Sequence, residues 1–279
     1  MPPGFDDMLA SAEEAVRAAG RELVERFAGS LDVRWKTYRG ERTVVTDADF
    51  AADAAIRRVL QRDFPDHVIF SEEEPHDDIY GSDVWVVDPL DGTDNYSRGQ
   101  PQFCVSVAHA SGGRVDLGVV FDPIRDEFFS ATANGPATCN GKVVAVTDCD
   151  SPELSSVAWA QMGITEDDTR RFHRALALAA ATFHRVRMTG SAALEMVWVA
   201  AGRYDAALFS NVKWWDHAAG ALIVQRAGGR SSDLYGRPTG STSRRCVFSN
   251  GHLHEAVVSL ARDQGLHLPF APTEIDLPE

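Results

Sequence analysis

Apolar positions near the start of the chain recur at helical spacing. Phe5, Met8, Leu9, Ala12, Val16, Ala19, Leu23 and Phe27 share one face, and Gly29 follows. This predicts an amphipathic helix with a glycine stop. Leu31, Val33 and Trp35 then alternate as in a strand, a polar stretch from Lys36 to Glu41 follows, and Val44-Val45 resumes the apolar pattern. A hairpin over 31–45 with a mobile tip is expected. Thr46-Asp47-Ala48-Asp49 opens a second helix that carries Phe50, Ala54, Ile56, Val59 and Leu60 and ends before Pro65. Acids near its positive end are ordinary capping chemistry for at least one of Asp47 and Asp49.

Strands are expected at 67–70 and 84–87, then a meander at 103–109, 115–121 and 127–132, with short strands across 135–146. Ser151-Pro152 marks a boundary between halves 1–150 and 151–279 of one compact unit. Beyond it the pattern predicts a strand at 157–161, a helix at 168–182 and a strand at 184–186. A helix at 192–201, a strand at 204–209, a strand at 247–249 and a helix after His252 complete the chain. The alternation is α/β, without repeats or low-complexity segments.

The chemistry gathers where apolar runs stop. After 84–87 come Asp88, Asp91 and Asp94, with Pro89 and Gly92 between them. Pro and Gly should end the strand and leave the acids on a loop at its C-terminal end, where open α/β sheets bind ligands. Three carboxylates on one loop call for a cation, and all-oxygen ligands suit Mg²⁺ or Mn²⁺. Solvated turn acids are the plainer alternative. Glu72-Glu73-Glu74 after the 67–70 strand is either a charge run or a source of one more ligand. Lys213-Trp-Trp-Asp-His-Ala-Ala-Gly begins a further helix, with Asp216 at the N-cap, Gly228 at C′, and Trp214 and Trp215 as core aromatics. Lys36 and Arg39 on the hairpin tip are phosphate contacts or plain loop charges.

Composition narrows the class. The 279 residues are 44% hydrophobic and 24% charged, as in a globular protein. No apolar run nears the roughly 18 residues of a membrane span. The N-terminus shows no secretory pattern, so a cytoplasmic protein with no membrane partner is expected. A net charge of −14 argues against nucleic acid and anionic membranes. It would also disfavour a phosphate substrate, unless bound cations reverse the local field. Cys104, Cys139, Cys149 and Cys246 lack zinc spacing and read as reduced, buried thiols. His252 and His254 form a His-x-His pair, for which a surface role outweighs metal binding.

Together the motifs resemble the inositol monophosphatase family. Trp85-Val-Val-Asp-Pro-Leu-Asp-Gly-Thr-Asp-Asn-Tyr96 resembles its first signature, and Trp215-Asp-His-Ala-Ala-Gly running to Ala-Gly-Gly229 its second. Val45-Thr46 with Asp49, and Glu72-Glu73 after a strand, are similar to its two upstream elements. The resemblance implies a layered α/β/α/β/α sandwich of the inositol monophosphatase and fructose-1,6-bisphosphatase type. It also implies Mg²⁺-dependent phosphomonoester hydrolysis, Li⁺ inhibition and a homodimer. Glu72, Asp88, Asp91, Asp216 and the Leu90 carbonyl would ligate metal, with Asp88 bridging two cations. Asp91, Gly92, Thr93 and Asp216 would face the phosphate. Asp49 would hydrogen-bond Thr93, and these two with Glu72 form the catalytic set around a metal-activated water. Gly190 and Ser191 either touch substrate or cap a helix. Ser71 stands where the family has glycine. Phe209 stands where inositol-specific members carry a glutamate, which implies another alcohol, such as a sugar or an amino alcohol. The expected partner is a small phosphorylated metabolite. Histidinol phosphate, fructose 1,6-bisphosphate and 3′-phosphoadenosine nucleotides are alternatives on the same scaffold. A catalytically silent, partner-binding protein is the reading from another class.

Overall fold

The computed structural model describes residues 4–27, 29, 33–38, 41–74, 83–160 and 166–268. Helix α1 (Phe5–Phe27) buries Met8, Ala12, Ala15, Val16, Ala19 and Leu23 along one stripe, as its periodicity requires. Strands β1 (Val33–Tyr38) and β2 (Glu41–Thr46) pair antiparallel, which is the expected hairpin. Its tip, including Arg39, lies outside the described residues, as does the side chain of Lys36. Helix α2 (Asp47–Asp63) starts on a reciprocal cap. Thr46 Oγ accepts from the Ala48 N–H at 3.2 Å, and the Asp49 carboxylate accepts from the Thr46 N–H at 2.7 Å.

A seven-stranded sheet follows: β3 (Val68–Ser71), β4 (Asp83–Asp91), β5 (Cys104–Ser111), β6 (Arg114–Asp122), β7 (Glu127–Thr132), β8 (Thr138–Cys139) and β9 (Lys142–Val143), in that spatial order. Only β3 and β4 run parallel. The short helix α3 (Thr93–Ser97) sits between β4 and β5. Then come β10 (Ser156–Ala160), α4 (Glu166–Thr182), β11 (Arg185–Arg187), α5 (Ala192–Ala200), β12 (Ala206–Phe209), α6 (Trp214–Arg226), β13 (Arg230–Asp233), β14 (Cys246–Ser249) and α7 (His254–Asp263). Their strands form a second sheet in the order β11-β10-β12-β14-β13.

Three apolar clusters define five layers. One joins α1 and α2 to the first sheet. A second fills the space among the first sheet, α5, α6 and the second sheet. A third joins the second sheet to α4 and α7. The order is therefore helices, sheet, helices, sheet, helices, the layered α/β architecture expected. Among the described residues no helix is long and apolar enough to cross a membrane.

Three expectations are corrected. The strand over 84–87 does not stop at Pro89. β4 continues to Asp91 through a register shift, with Asp88 opposite Ser106 and Asp91 opposite Cys104. Between those pairs two residues on β4, Pro89 and Leu90, stand opposite one on β5, Val105, a bulge that tolerates a proline lacking a ladder donor. Strand β13, Arg-Ser-Ser-Asp, was not foreseen because it lacks apolar alternation; it is an edge strand, where polar residues are tolerated. Asp216 is not the N-cap of α6. Lys213 holds that position and Asp216 lies three residues inside, because Trp214 and Trp215 are already helical. Other boundaries move by one or two residues.

Helix α6 lies against β6 at backbone contact. A Cβ built on Gly118 would meet Ala219 Cα and O at 2.9 Å. Neither is a side chain that can turn aside. Gly118→Ala should lower unfolding stability by about 1–3 kcal/mol. Urea unfolding checks this, as a lower midpoint at unchanged slope.

Candidate metal centre

Four backbone segments converge at one end of the first sheet. Glu72 follows β3, and its N–H donates to the Val87 carbonyl at 3.0 Å, which keeps it in step with β4. Ser71 Oγ donates to Asp53 at 2.5 Å, and Asp53 also accepts from Arg57 Nε at 2.5 Å. The hydroxyl at this position thus ties the end of β3 to α2. Asp88 is buried at the bulge and accepts from the Leu90 N–H at 3.1 Å. Asp216 is buried in the first turn of α6, where it accepts from the Lys213 N–H at 2.6 Å.

Carboxylate oxygens of Glu72, Asp88 and Asp216 lie within 4.8 Å of one another. Burial holds Asp88 well above the usual carboxylate range, and the charges of Glu72, Asp91 and Asp216 push it further. Burial and then Glu72 do the same to Asp216, while the Lys213 N–H and ammonium act in the opposite direction. Three carboxylates at this spacing repel one another in a poorly solvated place. A hard divalent cation removes that repulsion and takes such oxygens as ligands. The donor set therefore fits Mg²⁺ or Mn²⁺, and it contains no sulfur or nitrogen that would select a softer ion.

Asp91 lies outside this group of three. Its carboxylate accepts from Ser191 Oγ at 2.5 Å, the Ala193 N–H at 2.8 Å and the Ala192 N–H at 3.1 Å. It therefore caps α5 from another segment of the chain, with Cys104 Sγ also 3.5 Å away. Burial raises its pKa, against the pull of those donors. Ser191 sits at the N-cap of α5 but makes no capping bond, since its hydroxyl goes to Asp91. Gly190 has φ +83°, and a Cβ there would meet the Asn95 amide at 3.0 Å. Asn95 in turn donates to the carbonyls of Thr189 and Gln102, both at 2.8 Å, linking the two site loops.

Thr93 opens α3 behind Gly92, whose φ is +94°. A Cβ on Gly92 would lie 2.7 Å from the Gln102 carbonyl, so glycine is required twice over. The Thr93 hydroxyl lies 2.9 Å from the Leu90 carbonyl and 3.1 Å from Asp49. Asp49 is buried and Asp47 exposed, so Asp49 is the acid that meets Thr93.

Other candidates go elsewhere. Phe209 does not offer an apolar wall to a ligand: it is buried in the core, with its ring 5.8 Å from that of Phe248. His254 is not a surface residue. It is buried between Ser232 at 2.7 Å and Ser249 at 2.8 Å, because α7 begins against β13 and β14. Cys104 and Cys246 are buried, while Cys139 and Cys149 are half-buried; all four are free thiols. Two residues escaped the sequence reading. Glu195, in the first turn of α5, accepts from the Thr189 N–H at 2.8 Å and hydroxyl at 2.6 Å and so braces the loop before Ser191. Burial pushes its carboxyl up to about 7. Nothing in Ala-Ala-Leu-Glu-Met signals it. Lys213 is buried beside Asp216, and only its place before that acid hinted at a role.

The family model for the inositol monophosphatase family matches residues 5–266. The chain belongs to the inositol monophosphatase family. It is 34% identical over 267 residues to inositol monophosphatase 1 of Solanum lycopersicum, covering 91% of this chain and 94% of that protein. It is 36% identical over 266 residues to a protein named Nus factor SuhB from Pasteurella multocida, covering 93% and 94%. Among solved structures, the IMPase of Thermotoga maritima superposes with a TM-score of 0.84 at 31% identity, covering 92% of this chain and 98% of that one. Membership in the inositol monophosphatase family supports phosphatase activity and metal binding at family level.

The acid cluster makes stability depend on pH in a defined direction. Asp88 and Asp216 have folded pKa values above their unfolded ones, so their contribution is present at low pH and lost as pH rises through the shifted values. Without divalent cations, wild type should lose stability relative to Asp88→Asn as pH rises above the ordinary aspartate range. Mg²⁺ should raise the wild-type unfolding temperature at neutral pH, and do much less for Asp88→Asn. Thermal unfolding with EDTA or Mg²⁺ over a pH series measures both. Equal Mg²⁺ shifts in the two proteins would remove Asp88 from the metal centre.

Proposed function

We propose that this inositol monophosphatase family member hydrolyses a small phosphate monoester of a polyol, sugar or amino alcohol, using Mg²⁺ or alternatively Mn²⁺. The observation that carries this reading is the convergence of Glu72, Asp88 and Asp216 within 4.8 Å beside the Thr93–Asp49 pair. A bound divalent cation supplies Lewis acidity, which makes water acidic enough to act at neutral pH and offsets phosphate charge. Glu72, Asp88 and Asp216 would hold it, with the Leu90 carbonyl and Asp91 completing the set.

The rest of the chemistry belongs to the chain. One Thr93 hydrogen serves two acceptors, the Leu90 carbonyl and Asp49. If that carbonyl held the cation, the hydrogen would go to Asp49. The Thr93 oxygen is then left as an acceptor for the proton of an attacking water. The N–H groups of Gly92 and Thr93, at the turn into α3, are donors for phosphate oxygens. No side-chain nucleophile is required. Cys104, the thiol in this region, is buried, and burial and the neighbouring Asp91 raise its pKa well above the ordinary range, which keeps it from being a thiolate. Inhibition by Li⁺, a homodimeric state and a cytoplasmic setting without nucleic acid complete the reading; they rest on the family resemblance and on composition.

The relatives named Nus factor SuhB favour a second reading, a role as a protein factor in which catalysis is secondary or absent. Chelator-sensitive phosphate release separates the two.

A panel of phosphate monoesters assayed with Mg²⁺ should show turnover that EDTA abolishes. Turnover indifferent to EDTA, or absent on every ester, would reject the phosphatase reading. Thr93→Ala should lower kcat by about a hundredfold or more, with little change in the Mg²⁺ concentration for half-activation. Asp91→Asn should lose turnover while still unfolding cooperatively in urea, since its remaining carbonyl oxygen still accepts from α5. Near-normal kcat in either variant would take that residue out of the mechanism.

A further inference from the structure

We propose that the cavity under the connection between β13 and β14 is a second anion site, built to take a phosphate group. Its volume is about 430 Å³, and Arg237, Arg244, Arg245 and His267 line it against one acid, Asp233. In a chain of net charge −14 this is a local reversal of sign. The three arginines are not equivalent. Arg237 Nε is engaged by Asp233 at 2.7 Å. Arg245 is held by Asp168 at 3.1 Å, by the Leu266 carbonyl at 2.5 Å and by the Ser210 carbonyl at 3.3 Å. Arg244 is half-buried, yet its guanidinium reaches only the carbonyls of Ser241 and Ser243, both at the long distance of 3.4 Å. Among the described residues no carboxylate pairs with it. A guanidinium partly withdrawn from water and joined only by two long contacts keeps donors for a ligand. Its planar fork matches two oxygens of a phosphate. Thr242, exposed on the same wall, adds a hydroxyl.

The cavity stands at the same end of the second sheet as the start of α6. Cys246 pairs with both Phe209 and Asp233, so β12, β13 and β14 meet there. The Val212 N–H donates to the Arg244 carbonyl at 2.7 Å. The four residues between β12 and α6, which lead to Asp216, are therefore fastened to the cavity wall by Arg244 and Arg245. The phosphate has two possible sources. It is the second phosphate of a bisphosphorylated substrate whose first sits at the metal centre, or it belongs to a separate phosphorylated metabolite. Only the first source rests on the phosphatase reading above.

The test is a titration of the full chain in Mg²⁺ with inorganic phosphate, followed by amide and imidazole NMR shifts. Wild type should show saturable shifts at residues 240–245 and His267. Arg244→Gln should weaken them at least tenfold, and Thr242→Val, at an exposed position, several-fold, while shifts at Gly92 and Thr93 persist. Absence of shifts at 240–245 in wild type, or shifts unchanged in Arg244→Gln, overturns the site. Loss of the Gly92 and Thr93 shifts alone counts against the metal-centre reading and leaves the cavity standing. The kcat/KM values of Arg244→Gln for fructose 1,6-bisphosphate and glycerol 2-phosphate then identify the source, and either pattern supports the site. A fall confined to the bisphosphate assigns it to the substrate's own second phosphate. Unchanged values with weakened phosphate binding assign it to a separate metabolite.

Discussion

Like charge held at close range in a poorly solvated place is the constraint on which this structure turns. Glu72, Asp88 and Asp216 come from the ends of two parallel neighbouring strands and the first turn of a helix in the next layer. Left to themselves, three carboxylates within 4.8 Å favour protonation or separation. The fold opposes separation, because Glu72 is anchored through its backbone N–H and the carboxylates of Asp88 and Asp216 are held by backbone donors. The Glu72 N–H is on Val87, Asp88 is in a bulge that the Leu90 N–H closes, and Asp216 is fixed by the Lys213 N–H. What remains is a demand for positive charge.

The surrounding shell is built so that this demand does not distort it. Asp91 is spared a place among the three by the N-terminus of α5, where two N–H groups and the Ser191 hydroxyl already satisfy it. The same three bonds join the β4 loop to the middle helical layer. Asn95 and Gly190 make a second bridge between those segments. Ser71 and Asp53 make a third, from β3 to α2. Positioning here is largely side chain to backbone, which holds loops that no sheet ladder reaches. The second sheet reaches the site through the segment after β11, which meets Asp91 and Asn95, and through the connection between β12 and α6, which Arg244 and Arg245 clamp.

Much of this was legible in the residue order. Helical spacing from Phe5 to Phe27, the Thr46–Asp49 cap and the apolar strand runs are local properties, decided by neighbours a few residues apart. The acids before and after Pro89, the strand-end glutamates and the Trp-Asp helix start were visible for the same reason. Each is a short motif whose chemistry is carried by adjacent residues. Their order along the chain sufficed to suggest the family, and with it the layered fold.

Tertiary structure alone decided the rest, because it turns on distances between residues far apart in sequence. It separated Asp49 from Asp47, since only one of the two is buried against Thr93, 44 positions away. It turned Asp91 toward α5, about a hundred residues downstream, and left the close group to Glu72, Asp88 and Asp216. It put Phe209 into the core, beside Phe248, and His254 between two serines, where sequence suggested a surface histidine. Glu195 and Arg244 carry no local signature at all. Burial, and which partner each meets across the layers, gives them meaning, and no periodicity or motif encodes either.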